Sequence, residues 1–386
     1  MRTVHPSIII GSYTWDQDRL PRDEFQIRMA ELHRAMDAKG LKAVFVHGDA
    51  AEHSALAYFS NFVPRLRWSM ALLPREGEPR LLISMSSRDV PAMKLMTWIP
   101  DVLSGWTWES AFDPWLARLN ADHPIDIGTV GFDLMRPTLF RSLEKSLGNR
   151  FRLHATDADV SAVRSLRPRE RSELREASGV VRAAVDAFVK AWRAGMGVEA
   201  AALEGERTAR LMAAQDVRTL VSFDGGRTLS PFRGSFEEKS DSLVGYIAVK
   251  HRGYWADLFV TATTSASAVQ QRARAGLDAV LRSAGPGAAT SALHAKAVEQ
   301  LGALPLHPVL SGSIGHRIGL SLNEGGELTR DSRHALKPGE VYTLHVGAYD
   351  PASGGALTSA MIAITANGSD VLHRSPDASA LAASPP

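Results

Sequence analysis

A polar stretch, TDADVSAVRSLRPRERSE at 156–173, separates two long regions that each carry their own apolar runs and turn signals. A chain so interrupted does not bury both regions in one core, and 386 residues is long for a single core in any case, so two domains are expected. Their bounds are set at 1–160 and 161–378, and the polar end of the chain, 379–386, reads as a disordered tail. In the first region EFQIRMAELHRAMDAKG places apolar side chains at helical spacing and closes on Gly40, while LKAVFVHG reads as a buried strand. WSMALLP and RLLIS, joined by the turn REGEP, read as a hairpin; helical SSRDVPAMKLMTW, strand TVGFD and helical PTLFRSLEKSLG follow. That alternation predicts a sheet with helices packed on it. The second region opens with two amphipathic helices, 172–195 and 198–215. A strand VRTLVSF, the hairpin SLVGYIAVKHRGYWADLFVTAT, helices over 265–285 and 289–303, and a strand-rich end give an α+β order.

Composition narrows the function classes. A formal net charge of +2, with no long run of like charges, gives electrostatic binding of nucleic acid or an anionic membrane no footing, and a small-molecule partner is expected instead. The absence of cysteine excludes disulfides, thiolate nucleophiles and cysteine-ligated zinc. The sequence has no signal-peptide pattern at its start and no run of about 18 apolar residues, so a cytoplasmic location is expected.

Three segments in fixed order carry a resemblance: GYIAVKHRGYWADLFVT at 245–261, SGSIGHRIGLSLNEGG at 311–326 and LKPGEVYTLHVGAYD at 336–350. A fourth, SAMIAITANGSDVL at 359–372, extends it. The set resembles the pita-bread fold shared by prolidases, methionine aminopeptidases and creatinases. AMDAKGLKAVFVHGDAAEHSALAYFSNF, ahead of a strand and a GEP turn, resembles the N-terminal α/β domain of creatinase and prolidase. The resemblance therefore implies a pita-bread domain behind a creatinase/prolidase-type domain.

It also implies a metal site, and this chain departs from it. The family's peptidases hold two metal ions about 4 Å apart with two aspartates, one histidine and two glutamates. Asp257 matches the second aspartate and His316, in GHRIG, matches the histidine; Tyr246 stands at the first aspartate, eleven residues before Asp257, and His345 and Ser359 stand at the two glutamates. One carboxylate cannot bridge and neutralise two divalent cations, so a dinuclear peptidase is not expected. Asp257, His316 and His345 together remain a possible ligand set for one zinc or iron ion. The alternative is that they work without a cofactor, as in creatinase, where the resemblance implies acid-base side chains acting directly on a small carbon-nitrogen substrate.

Further residues are candidates for substrate binding. Arg227, Phe232 and Arg233 share the glycine-bearing loop FDGGRTLSPFRGS, and either arginine could clamp a carboxylate or simply be a solvated surface charge. Phe232 falls where creatinase carries a substrate-facing histidine. Tyr246 could donate a hydrogen bond into the site or fill vacated volume, Ser359 lies beside it by position, and Glu324 could act as an acid or base. Arg65, Arg67 and Trp68 occupy the segment that in creatinase-like homodimers reaches the neighbour's site, and otherwise read as an ordinary strand edge. Three functions stay open: a metal-independent, creatinase-like hydrolase or lyase cleaving a carbon-nitrogen bond in a small zwitterionic, amide or amidine substrate; a mononuclear metal hydrolase; and an inactive relative that binds a peptide or protein.

Overall fold

The computed structural model describes residues 13–376 except 65–66, 106–113, 116, 120–123, 165–166 and 265–266. Arg65 and the tail 379–386 therefore lie outside the described residues. The chain divides into two compact units, 1–165 and 166–386.

In the first unit, helix α1 (Arg22–Lys39) buries Phe25, Met29, Leu32 and Met36 and stops at Gly40, whose φ of +67° suits a residue without a side chain. A six-stranded sheet follows, built from β1 (Ala43–Gly48), β2 (Ser69–Pro74), β3 (Arg80–Ile83), β4 (Asp101–Ser104), β5 (Ile125–Val130) and β6 (Phe151–Ala155) in the order β4-β3-β2-β1-β5-β6. β1 pairs antiparallel with β2 and parallel with β5. Helix α2 (Ser54–Ser60) follows β1, α3 (Pro137–Leu147) follows β5 and α4 (Asp157–Val163) follows β6. Phe45, Met70, Leu72, Leu82 and Ile127 pack with Trp115 and Leu143 into one core, with the Trp68 ring against it.

Three local expectations are corrected here. The stretch 86–98 is no continuous helix but three short turns over Ser87–Met96, with Pro91 limiting them because it lacks an N–H and restricts the residue before it. The strand expected at 129–133 ends at Val130, where Gly131 turns the chain at φ +73°. The polar stretch that marks the division carries helix α4, whose first turn holds Asp157 and Asp159 at the positive end of the helix dipole.

In the second unit, α5 (Pro168–Arg193) and α6 (Val198–Leu211) precede a three-stranded antiparallel sheet, β7 (Asp216–Val221), β8 (Ser242–His251) and β9 (Tyr254–Thr263). A second antiparallel sheet runs β10 (Gly315–Arg317), β11 (Val341–Asp350), β12 (Gly354–Ile364) and β13 (Ser369–Arg374). Helices α7 (Ala268–Ser283) and α8 (Thr290–Leu301) lie between the two in sequence. Alternation along the strands decides what the site receives. Tyr342, Leu344 and Val346 of β11 pack with Leu277 and Val280 of α7, so Thr343 and His345 point to the other face. On β8, Gly245 lies under Phe188 of α5, and a Cβ there would come within 2.5 Å of that ring. Tyr246, the next residue, therefore faces away from the helix.

Candidate active site

The two hairpins converge on one buried carboxylate. In the β8–β9 ladder Ala248 stands opposite Asp257 and Tyr246 opposite Phe259, which puts Tyr246, Asp257 and Phe259 on one face. In the second sheet His316 stands opposite Thr343 and His345 opposite Ser359. The sheets are stitched where the Ser359 hydroxyl accepts the Phe259 N–H at 2.9 Å. One donor atom from each of Asp257, His316 and His345 lies within 4.8 Å of the others, so three residues far apart in sequence meet in one place.

Asp257 is 1% exposed, and its oxygens are taken up by protein donors. Thr343 donates to Oδ1 at 2.6 Å; the Tyr246 hydroxyl donates to Oδ2 at 2.9 Å, and His345 Nε2 lies 3.3 Å from the same atom. Burial alone would raise the pKa of this acid. The charge and hydrogen bond of His345, then the charge of His316 and the Thr343 bond, outweigh it and hold the carboxyl at about 2, so it is ionised at neutral pH. The same charge works in the opposite direction on Tyr246: burial first, then the Asp257 charge and hydrogen bond, push its phenol well above 10, and it stays a donor. His373 of β13, close enough to feel Asp257, is held down to about 4 mainly by burial, so it is neutral and adds no positive charge there at pH 7.

The hydrogen-bond directions fix how the two histidines present themselves. His345 Nδ1 is 2.8 Å from Ser359 Oγ, which already accepts the Phe259 amide. The assignment that leaves no polar hydrogen unplaced has Ser359 donating to Nδ1 and His345 donating from Nε2 to Asp257. His316 is wired the other way, because its Nδ1 is 3.0 Å from the Arg317 carbonyl and donates to it, so that Nε2 is the nitrogen that gains or loses the proton and carries the lone pair in the neutral ring. The site thus pairs a buried anion and a neutral donor with an imidazole nitrogen able to take a proton. Phe259 forms its apolar wall, 4.7 Å from the Tyr246 ring and edge-on to His345 at 4.8 Å between centroids.

The two-ion arrangement does not fit these residues. Where the resemblance implies three further carboxylates there stand a phenol, an imidazole and a hydroxyl, and the phenol occupies Asp257 Oδ2 directly.

Several predicted binding residues are engaged elsewhere. Arg233 pairs with Glu238 at 2.7 Å and stacks on Phe223, with its exposed loop pinned by buried Glu199, which accepts the backbone N–H groups of Arg233 and Ser235. Its guanidinium is therefore a loop tie and not a free carboxylate clamp. Arg227 donates to the Tyr349 hydroxyl at 2.6 Å. Glu324 Oε1 accepts the N–H groups of Leu320 and Ser321, which makes it a brace of the turn after GHRIG instead of an acid or base turned to the other three side chains. Phe232 is half-buried in the same loop as Arg233. In the first unit, Arg67 is exposed, while Trp68 lies against its own sheet, with its indole where a Cβ on Gly105 would be 2.8 Å away. Trp68 thus packs within its own domain.

Sequence reasoning passed over Thr343, although the signal was present. It lies two residues before His345 on an alternating strand and so must share its face. Phe259, two residues after Asp257, could have been found in the same way. His307 is buried and bonds the Gly226 carbonyl at 2.5 Å, fixing the turn before Arg227.

The sequence profile of metallopeptidase family M24 matches residues 172–366, and that of the creatinase/prolidase N-terminal domain matches 28–167. No curated protein matches the chain. The prolidase of Pyrococcus horikoshii OT3 superimposes with a TM-score of 0.75 at 18% identity, covering 91% of this chain and 99% of its own. The X-Pro aminopeptidase of Thermotoga maritima MSB8 gives 0.75 at 20% identity, covering 90% and 98%. The N-terminal domain of the FACT complex subunit SPT16 from chickpea, Cicer arietinum, gives 0.66 at 16% identity, covering 91% and 96%. At such identities the likeness establishes the fold alone.

Proposed function

The chain belongs to metallopeptidase family M24, and from that premise we propose that it is a metal-independent, creatinase-like hydrolase of a carbon-nitrogen bond in a small amide, amidine or zwitterionic substrate. The observation that carries this reading is the closed hydrogen-bond chain from the Phe259 amide through Ser359 and His345 to Asp257. It satisfies the carboxylate with protein donors and leaves His316 Nε2 as the one imidazole nitrogen of the pair with a free lone pair. In the reaction that follows, His316 takes a proton from a water whose oxygen bonds to the substrate carbon, and returns it to the nitrogen as the carbon-nitrogen bond breaks. Asp257, kept ionised, stabilises the positive charge that His316 gains, and Tyr246 and His345 hold Asp257 in place.

A second reading rests on a separate observation. The donor atoms of Asp257, His316 and His345 are close enough for one zinc or iron ion, provided Asp257 Oδ2 is freed and His345 exchanges its proton to Nδ1. The experiment is a screen of small amides, amidines and Xaa-Pro dipeptides for released amine, with and without a chelator. Chelator-insensitive turnover that falls about a hundred-fold or more in His316→Ala and Asp257→Asn is expected. Turnover abolished by chelator and restored by one equivalent of zinc or iron supports the metal reading. Activity indifferent to both substitutions removes the site from catalysis and leaves only a binding role. The same proposal takes the protein as a cytoplasmic homodimer; support for the dimer is the creatinase-type domain and the exposed Arg67, and no described helix is long and apolar enough to cross a membrane.

A further inference from the structure

Strand β10 carries His316 and is three residues long, so what grips so short a strand decides where that ring stands. On one side it pairs with β11, with His316 opposite Thr343 and Arg317 opposite Tyr342, and the alternation sends His316 to the site and Arg317 to the other face. On its other side the returning segment 324–328 closes over it. The Arg317 N–H donates to the Gly325 carbonyl at 2.8 Å, the Leu328 N–H to the Gly315 carbonyl at 2.8 Å, and the Glu324 N–H to the Arg317 carbonyl at 2.9 Å. That last carbonyl is the one that His316 Nδ1 reaches at 3.0 Å.

The Arg317 side chain doubles this grip. Its Nη2 donates to the Glu324 carbonyl at 2.7 Å, so the N–H and the C=O of Glu324 are both bound to Arg317. Nη1 lies 3.8 Å from Oε1 of Glu340, the residue before β11. Glu340 is itself fixed: its Oε2 accepts the Lys337 N–H at 2.8 Å and the Tyr342 hydroxyl at 3.1 Å, with His334 Nε2 3.2 Å away. The arginine stem runs over Gly326, where a Cβ would stand 3.0 Å from Nε and 3.1 Å from Cγ. Nε is buried there with no hydrogen-bond partner among the described residues, an unfavourable placement that a plain surface arginine avoids by turning to solvent. One side chain thus joins the two segments that flank the strand of His316.

We propose that Arg317, anchored by Glu340, is a positioning residue that fixes the tautomer of His316. The inference rests on the reading of His316 as the base of the reaction. Which imidazole nitrogen carries the proton is set by the bond that the other one makes. A carbonyl held by the grip of Arg317 on Glu324 keeps the proton of His316 on Nδ1 and the lone pair on Nε2. Without the guanidinium the Glu324 carbonyl loses that bond, and the turn at Gly325 and Gly326, both at positive φ, can shift together with the Arg317 carbonyl it holds. His316 then populates both tautomers, and only one of them accepts a proton at Nε2.

The test is heteronuclear NMR of the full chain with isotope-labelled histidine, at one mildly alkaline pH where the ring is neutral, with the His316 signals identified by their absence from His316→Gln. The wild type is expected in the Nδ1-protonated form. Arg317→Met keeps the stem, and Arg317→Lys supplies a point charge that cannot span both anchors; both are expected to show the two tautomers, and Glu340→Gln a smaller change in the same direction. This readout needs no substrate, so it stands apart from whether the reaction is the one proposed. With a substrate from the screen, kcat of Arg317→Met should fall about tenfold or more at unchanged KM. A tautomer change with undiminished turnover upholds the strap and counts instead against His316 as the base. A wild type protonated at Nε2, an unchanged His316 in every variant that folds whatever its thermal midpoint, or full rescue by Arg317→Lys overturns the inference.

Discussion

Replacing Asp257 with asparagine should destabilise the second unit at neutral pH by an amount that shrinks in acid. The carboxyl is 1% exposed, so its interactions are poorly screened by solvent. Its pKa is lowered from 3.8 to about 2, with burial opposing and His345 leading the groups that overcome it. At about 1.4 kcal/mol per pKa unit, the ionised group contributes roughly 2 kcal/mol of stability. The sign follows from the depression. The contribution is fully present above the unfolded value near 3.8 and is lost as pH falls through the folded value of about 2, with roughly half gone by pH 3. Asparagine also leaves the Tyr246 donor facing an amide, and because that phenol stays protonated throughout this range the loss does not vary with pH. Urea unfolding of the wild type and Asp257→Asn, followed by circular dichroism at pH 7, 5, 4 and 3, gives the gap between them at each pH. A gap that narrows by about 1 kcal/mol between pH 5 and pH 3 is expected. A gap that stays constant or widens refutes the argument that His345 and its neighbours hold Asp257 ionised.

Ser359→Ala removes the acceptor of the buried Phe259 amide and the partner of His345 Nδ1, and should lower stability by about 1–3 kcal/mol, read as a fall in the urea midpoint. Gly226→Ala should be more damaging than Gly225→Ala, although both sit at positive φ, because only at Gly226 would a Cβ meet backbone, 2.7 Å from the Gly355 carbonyl. A difference of about 1 kcal/mol or more between the two variants is expected, and equal midpoints would show that the contact is easily relieved. Light scattering at micromolar concentration should give twice the 41.8 kDa chain mass, and a monomer would remove the proposed dimer.

The hairpin at the site was legible as two apolar runs about the turn at Arg252 and Gly253, and the structure has β8 and β9 with those ends. Once the two strands pair, the eleven-residue spacing of Tyr246 and Asp257, to which the family resemblance drew attention, puts both on one face. VYTLHVG was legible by its alternation and GHRIG through the family resemblance, and the register of His345 opposite Ser359 follows from the hairpin of β11 and β12. The loops carried no such period. The tie from Glu199 to Arg233 spans 34 residues, and nothing in FDGGRTLSPFRGS announces it. Arg233 and Glu324 therefore looked like free charges when both are spent on their own loops. β4 and β6 were passed over because they are short sheet-edge strands; in FRLHA only Phe151 is buried.

The replacements at the three lost carboxylate positions are chemically matched to one another. Tyr246 donates to Asp257, His345 lies against the same Asp257 oxygen, and Ser359 holds the far nitrogen of His345. Ligands lost one at a time under no functional demand would tend to leave buried donors or acceptors unpaired, at about 1–3 kcal/mol each. Here Asp257, His345 and Ser359 are all nine-tenths buried or more, and each has a partner among the others. The same cost argument applies to the anion. A buried carboxylate with no ion to hold could be exchanged for an apolar residue at little loss or some gain in stability. Asp257 is instead kept charged by two histidines, a phenol and a threonine hydroxyl, with His316 Nε2 left open beside it. That pattern sets the catalytic reading above the inactive one.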